Sequence, residues 1–432
     1  MTVIKHTVPA SYVLTLSLLL LHAACSSSSD SSFTPPDTGG GAVPDAPVGV
    51  QVVAGDTDLT EEQAAISWLL DAEATSYTVY WDNAPGVTEN SSTVVPAVEG
   101  DRYVVHSDVD VVAGSRYYYR VQANSANGSS GLSDEAVGTP QRASTTNQLN
   151  DVAFNGTDTV VAVGDAGVIL TSPNGTVDSW TDVTLADIPE SLSGVTWESV
   201  NNQFLVVGAS STVLTGDGTN WVQEDLSNLG GANNLKDVAW LGDRYIAVGN
   251  SGTILTSNAD GSAWSVQDPG AVLGNTAFNA VAHDGNTIVV VGGNGTILTS
   301  ADAVTWQELP PPLNNDLNDV TWDGSQFIIV GSNDTILTSP DAVNWTSHIP
   351  GTADINFVAV TQWDSGLPAD PVVAAVGSSG TFVIAPTADP GVILETGVNE
   401  QLVGLTWIDN GIAAPYFMMV GNHGTVLTNQ YE

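Results

Sequence analysis

Basic residues are scarce in this chain. Seven Lys and Arg stand against 48 Asp and Glu, a formal net charge of −41 over 432 residues. A nucleic-acid surface neutralises phosphates with clustered cations. After residue 142 only Lys236 and Arg244 are available, so nucleic acid is not an expected partner. The excess of carboxylates reads instead as a solvated, self-repelling surface. Cysteine is nearly absent too: Cys25 stands alone, which rules out an intrachain disulfide. His106, His283, His348 and His423 lie in separate segments without the spacing of a metal site. With no Asp-x-Asp-x-Asp-Gly loop either, neither a metal nor a cofactor is expected. What the chain does have is 43 Gly, together with many Asn, Asp, Ser and Thr. That composition favours turns and strands over helices, and the length favours two folded modules.

Lys5 and His6 precede an apolar run from Tyr12 to Leu21, too short to span a bilayer but of signal-peptide length. The run ends in Leu21-His22-Ala23-Ala24-Cys25, and Ser26-Ser27-Ser28-Ser29 follows. This pattern resembles a bacterial lipoprotein signal. The resemblance implies removal of residues 1–24, lipid on Cys25, a membrane held through that lipid and, with Ser26 next to the cysteine, the outer membrane of the cell envelope. Residues 25–43 have the Ser, Gly and Pro content of a flexible tether, which as a coil spans about 25 Å.

Residues 44–140 carry short alternating segments at the spacing of an all-β sandwich. Ala46-Pro47-Val48-Gly49-Val50, Ile66-Ser67-Trp68, Tyr77-Thr78-Val79-Tyr80 and the run Ala113-Gly114-Ser115-Arg116-Tyr117-Tyr118-Tyr119-Arg120-Val121 resemble a fibronectin type III domain, and Gly138-Thr139-Pro140 resembles its close. Alternation places Tyr117, Tyr119, Val121 and Ala123 on the core face. The family's use as connectors implies a positioning role, and no Arg-Gly-Asp segment is present for cell adhesion.

From 141 to 432 one composite motif occurs seven times: an alternating strand, an apolar strand ending in Val-Gly, then a Gly-Thr-Ile-Leu-Thr-Ser-like strand. The Val-Gly glycines are Gly164, Gly208, Gly249, Gly292, Gly331, Gly377 and Gly421, at spacings of 44, 41, 43, 39, 46 and 44. That period is one four-stranded blade, so the sequence predicts a seven-bladed β-propeller. The second strands, such as Ile288-Val289-Val290-Val291, should be buried on both faces. The two glycines of each turn should supply backbone freedom. Residues 141–148 are expected to provide the outer strand of the last blade, because the chain ends soon after that blade's third strand. Ser300-Ala301-Asp302-Ala303-Val304-Thr305-Trp306 and its equivalents resemble the Asp-box turn of bacterial neuraminidase repeats. The array as a whole resembles the propellers of the photosystem II assembly factor family.

Chemistry is harder to place. The neuraminidase resemblance implies three arginines on a substrate carboxylate, and after residue 142 this propeller has only Arg244. Carboxylates such as Asp187, Glu190, Asp268 and Glu308 are abundant, but abundance does not define the separated pair a glycosidase needs. Two surfaces qualify for binding. One is the ring of small polar turn residues after Val-Gly, represented by Asp165, Asn250, Asn294, Asn333, Ser378, Asn422 and His423. The other is a lateral patch of Trp363, Asp364, Leu367 and Tyr416, where the links between first and second strands are longest. The expected function is a non-enzymatic, lipid-anchored recognition or assembly scaffold outside the cytoplasm, binding protein or polysaccharide. A carbohydrate-active enzyme and a purely structural envelope component are the alternatives. Replacing Cys25 by Ala should move the protein from the membrane to the soluble fraction on cell fractionation; retention in the membrane would exclude the lipid anchor.

Overall fold

The computed structural model describes residues 43–48, 50–58, 61–68, 71, 73–94, 97–98, 103–106, 115–138, 145–173, 179–229, 233–269, 276–348, 355–363, 372–386, 392–395, 401–409 and 416–430. Residues 1–42, which hold Cys25, the expected leader and all but the last residue of the expected tether, lie outside them. Among the described residues the fold is all-β, and the helical pieces are three-residue 3-10 turns.

Among the described residues nine strands form the N-terminal part: β1 (Gln51–Asp58), β2 (Glu61–Ser67), β3 (Ser76–Asp82), β4 (Ser92–Thr93), β5 (Ala97–Val98), β6 (Tyr103–His106), β7 (Tyr117–Ser125), β8 (Gly128–Leu132) and β9 (Ala136–Gly138). One sheet contains β1, β2 and β6, and a second contains β4, β3, β7 and β8 with β5 and β9 at its margins. The two pack face to face. Val52, Ala64, Ile66 and Trp68 of the first meet Tyr77, Val79, Tyr119 and Val121 of the second. The period of two puts Tyr117, Tyr119, Val121 and Ala123 inside, as their alternation requires. Within this core the Tyr119 hydroxyl lies 3.0 Å from His106 Nδ1, and burial drives the Tyr119 pKa far above its ordinary value.

The remaining chain builds seven antiparallel sheets in sequence order. Six have four strands each, and the seventh takes three from the repeat. The all-apolar second strands, among them Val160–Gly164, Tyr245–Gly249, Ile288–Gly292 and Phe327–Gly331, are buried along their whole length. They can be so only because a neighbouring sheet covers each face. An apolar cluster lies between every successive pair of blades: Val161 and Val163 of the first pack on Val195, Phe204 and Val206 of the second. The last pairing joins blade seven to blade one, through Tyr416, Met418 and Val420 against Leu149, Val160 and Leu170. Burial of each such side chain contributes roughly 1.5–3 kcal/mol. Cross-strand aromatic pairs cap the far ends of the first strands, with ring centroids 4.6 Å apart for Trp197 and Phe204 and 4.7 Å for Trp240 and Tyr245, Trp322 and Phe327, and Trp407 and Phe417.

The Val-Gly glycines have a different reason from the one the sequence suggests. The first glycine of each turn is extended, with φ of −163° at Gly164 and −172° at Gly249. What it supplies is space. A Cβ on Gly164 would sit 2.1 Å from the Gln148 carbonyl oxygen, and one on Gly249 2.1 Å from that of Asn234. Freedom of φ is needed three residues later, at Gly167 (φ +72°) and Gly252 (φ +70°).

The outer strand of blade seven is also not where the repeat places it. Residues 145–148 form a bend leading into the first strand of blade one, Leu149–Phe154. The partner of the last strand, Val426–Gln430, is β1, with Val53, Ala54, Gly55 and Asp56 opposite Asn429, Thr428, Leu427 and Val426. One six-stranded sheet therefore runs from blade seven through β1 into β2 and β6. Two needs are met together: the last propeller strand gains a partner for an otherwise open edge, and β1 still inserts Val52 into the N-terminal core. Ala54 is paired on both sides, with Thr428 and Ala64. Ala54→Pro removes a ladder donor and crowds the strand. Amide exchange across Val426–Gln430 is expected to accelerate by about tenfold or more, with Tyr245–Gly249 in blade three unaffected.

Candidate functional site

Each second strand turns into the third through the same five-residue geometry. The first turn residue donates its N–H to the carbonyl just before or at the approach to its own blade's first strand: Asp165 to Gln148 (2.9 Å), Asn250 to Asn234 (2.9 Å), Ser332 to Asp316 (2.9 Å), Ser378 to Asn356 (3.0 Å) and Asn422 to Gln401 (3.1 Å). The second turn residue stands in the left-handed conformation, with φ between 54° and 56° at Ala166, Ser210, Ser251, Asn294, Asn333, Ser379 and His423, and all seven are exposed. In blades three to seven a hydroxyl closes the turn, as Thr253 Oγ1 does on the Asn250 carbonyl at 2.7 Å and Thr425 Oγ1 on Asn422 at 2.6 Å. The turns pack against the first strand of the following blade, so the seven form a continuous ring around the axis.

The ring residues expected from sequence thus fall into two classes. Asp165, Asn250, Ser378 and Asn422 occupy the first, half-buried place, while Asn294, Asn333 and His423 occupy the second, exposed place. Several first-place side chains are committed to the fold: Asp165 Oδ1 accepts from Asn150 Nδ2 at 3.0 Å, and Ser378 Oγ accepts the Asn356 N–H at 3.2 Å.

Inside the ring lies a layer that sequence reasoning missed. The first strands are innermost, each neighbouring the first strands of the adjoining blades. Every one carries a β-bulge at its ring-side end, for example between Leu149 and Asp151 or Leu235 and Asp237. A bulge re-aims one side chain. In blades one, four and five that residue is an Asn that crosses to the next blade: Asn150 Nδ2 donates to the Leu192 carbonyl (2.8 Å), Asn279 to Leu317 (2.8 Å) and Asn318 to Phe357 (2.6 Å). Blade three places Lys236 there, and its Nζ donates to Asn279 Oδ1 at 2.7 Å.

The residue after the bulge is Asp151, Asp237 or Asp319 in blades one, three and five. Each carboxylate accepts its own following N–H and, with the other oxygen, an N–H of the next blade: Val195 at 2.8 Å, Val281 at 2.8 Å and Val360 at 2.7 Å. Blades two, four, six and seven have Gly194, Ala280, Ala359 and Gly404 at this level. The space is tight, since a Cβ on Gly404 would lie 2.8 Å from Asp151 Cα. The three carboxylates keep some accessible surface but are walled in by the inner strands. Desolvation raises Asp151 to about 7 and Asp237 to about 6, and it raises Asp319 well above the ordinary value, with mutual repulsion among the three adding to the rise. Asn150-Asp151-Val152, Lys236-Asp237-Val238 and Asn318-Asp319-Val320 in alternate repeats were the available signal.

Of the expected lateral patch, Tyr416 is the member whose side chain is described. Tyr416 is 3% exposed and packs between blades seven and one, so it presents no contact surface. Its strand is apolar on both faces because it is the buried second strand of its blade. Trp363 ends the first strand of blade six, opposite Val372, while Asp364 and Leu367 lie outside the described residues. Arg244 is engaged by Asp243 at 2.8 Å. His283 bridges blades, its Nε2 2.7 Å from the Trp240 carbonyl. Asp302 and Asp341 staple their turns by accepting the N–H groups of Val304 and Thr305, and of Val343 and Asn344. These bonds hold Asp302 down at about 2 and Asp341 lower still.

The axial carboxyls give a signed pH dependence. Unfolded, they titrate near 3.9; folded, Asp237 and Asp151 hold their protons to about 6 and about 7. Between pH 4 and 7, roughly, the folded chain binds more protons, so stability falls as pH rises through this window and then levels off. Melting is expected several degrees higher at pH 5 than at pH 8, as about 1 kcal/mol corresponds to roughly 2–4 °C in a domain of this size class. The triple change Asp151→Asn, Asp237→Asn and Asp319→Asn should flatten that slope, as followed by calorimetry. An unchanged slope would place its source elsewhere.

No protein-family model matches the chain, and its sequence matches no curated protein. Solved structures do match in fold. YCF48 bound to a D1 peptide superposes with a TM-score of 0.54 at 16% identity, over 67% of this chain and 94% of that one. YCF48 from Cyanidioschyzon merolae gives 0.53 at 16% identity, over 66% of this chain and 97% of that one. The WD40 β-propeller domain of Doa1 gives 0.52 at 12% identity, over 67% and 94%. At these identities the likeness is one of architecture: the repeat region is a β-propeller.

Proposed function

We propose that this protein is a non-enzymatic recognition or assembly scaffold, lipid-anchored through Cys25 on the outer membrane, whose propeller holds a protein partner on the turn-ring face. Residues 1–24 serve as the leader, 25–43 as the tether, 44–140 as a fibronectin type III domain that positions the propeller, and 141–432 as the seven-bladed propeller itself. The observation that carries the reading is the ring: seven superposable turns, each offering one exposed left-handed residue, six of the seven being small or amide-bearing. Such a surface presents many hydrogen-bonding groups at little conformational cost. A propeller of the same architecture has been solved with a peptide bound, which supports a protein over a polysaccharide as the occupant. The non-enzymatic reading is supported by what the axial carboxylates do: one oxygen of each accepts the N–H of the next residue and the other an N–H of the following blade.

The test is cross-linking in intact cells followed by mass spectrometry, with Ser251→Arg/Ser379→Arg as the blocking variant. Ser already holds the left-handed conformation at both positions without the local advantage of Asn, so the exchange should leave melting nearly unchanged. Wild type should capture a stoichiometric partner that the variant loses by about tenfold or more. Equal capture by both would remove the turn ring as the binding face.

A further inference from the structure

The geometry points to Lys236 as the recognition point for a carboxylate that the partner presents at the axial mouth of the propeller. This deepens the turn-ring reading and rests on it. Four observations converge on this side chain. Among the described propeller residues the cations are Lys236 and Arg244, and Arg244 is already chelated by the carboxylate beside it. Among the described residues Lys236 has no ion-pair partner, in a chain with 48 acidic residues. It stands on a β-bulge, which turns its side chain out of the ladder at the ring-side end of the innermost strand, half-buried. Of its three donors one is used among the described residues, and on a neutral amide, Asn279 Oδ1 at 2.7 Å.

A half-buried ammonium with a neutral partner is an incomplete arrangement. Removal from water disfavours its charge, and its pKa falls for that reason, with Asp316 acting against the fall. Asp316 itself is directed elsewhere, its Oδ1 accepting the Asn294 N–H at 2.8 Å, and Asp237, next in the chain, is taken by Val238 and Val281. The remaining donors of Lys236 are matched by an anion with two oxygens, and a carboxylate would make charge-assisted bonds there. Asn250 and Asn294, in the turns of blades three and four, supply neutral amide groups on the same face for the atoms flanking it. The carboxylate can belong to an acidic side chain or to a chain terminus.

The lysines of the sequence are Lys5 and Lys236, so ¹³Cε-lysine labelling of the full chain reports on this site almost alone. Three probes separate the possibilities: N-acetyl-dialanine as the free acid, N-acetyl-dialanine amide, and N-acetylaspartate with its α-carboxyl amidated. A saturable shift of the Lys236 resonance with either acid, absent with the dialanine amide, is the expected result, and which acid acts identifies the source. In cells, Lys236→Met should lower capture of the cross-linked partner by about tenfold or more, while Lys236→Arg retains most of it. A shift with the amide equal to that with the acids, or no shift with either acid, overturns the assignment. If Lys236→Met captures the partner as wild type does while Ser251→Arg/Ser379→Arg does not, the carboxylate site falls and the turn-ring face stands. If neither variant affects capture, the turn-ring reading itself fails.

Discussion

The close approach of two backbone segments at the end of every second strand sets the geometry of this propeller. At Gly164, Gly208, Gly249, Gly292, Gly331, Gly377 and Gly421 the carbonyl at the approach to the first strand comes so near that a Cβ would lie 2.1 to 2.4 Å from it. That contact brings the turn against the start of its own blade's first strand, so the turn N–H can be satisfied there. From this follow the left-handed second residue, its exposure, and the ring it joins. The first strand, pressed against the turn, takes up one extra residue, and the resulting bulge hands a side chain to the axis. Apolar burial between blades supplies most of the stabilising energy, but this contact decides where polar groups appear.

Blade number and the buried second strands were legible because both depend on short-range pattern: a glycine recurring about every 43 residues and uninterrupted runs such as Ile288-Val289-Val290-Val291. The core tyrosines of β7 were legible for the same reason. The partner of Val426–Gln430 was not, since β1 lies at the other end of the chain and strand pairing leaves no local trace. Nor was the burial of Tyr416, which looks like one more aromatic beside an insertion until its register opposite Ile408 and Gln430 is known. The alternation of Asp151, Asp237 and Asp319 with Gly194, Ala280 and Ala359 stands openly in the repeats. It is meaningful only once consecutive first strands are seen side by side around an axis.

The axis reverses the electrostatic character of the rest of the molecule. The surface carries carboxylates kept charged by turn N–H groups, as at Asp302 and Asp341, whereas the axial carboxyls are pushed toward neutrality by enclosure. Lys236 is the cationic counterpart, its pKa lowered by the same lack of solvent. The polar groups nearest the axis are thus the ones whose ionisation is most easily altered by what binds or by pH.

The strand shared between β1 and blade seven has a mechanical meaning. A pull applied to the chain ahead of Gln51 enters the folded protein along β1, whose neighbours are β2 on one side and Val426–Gln430 on the other. Antiparallel strands loaded along their length resist through all their cross-links at once. The load path therefore runs through the outer edge of blade seven, and the N-terminal sheet and the propeller share the tension on β1 from its two sides.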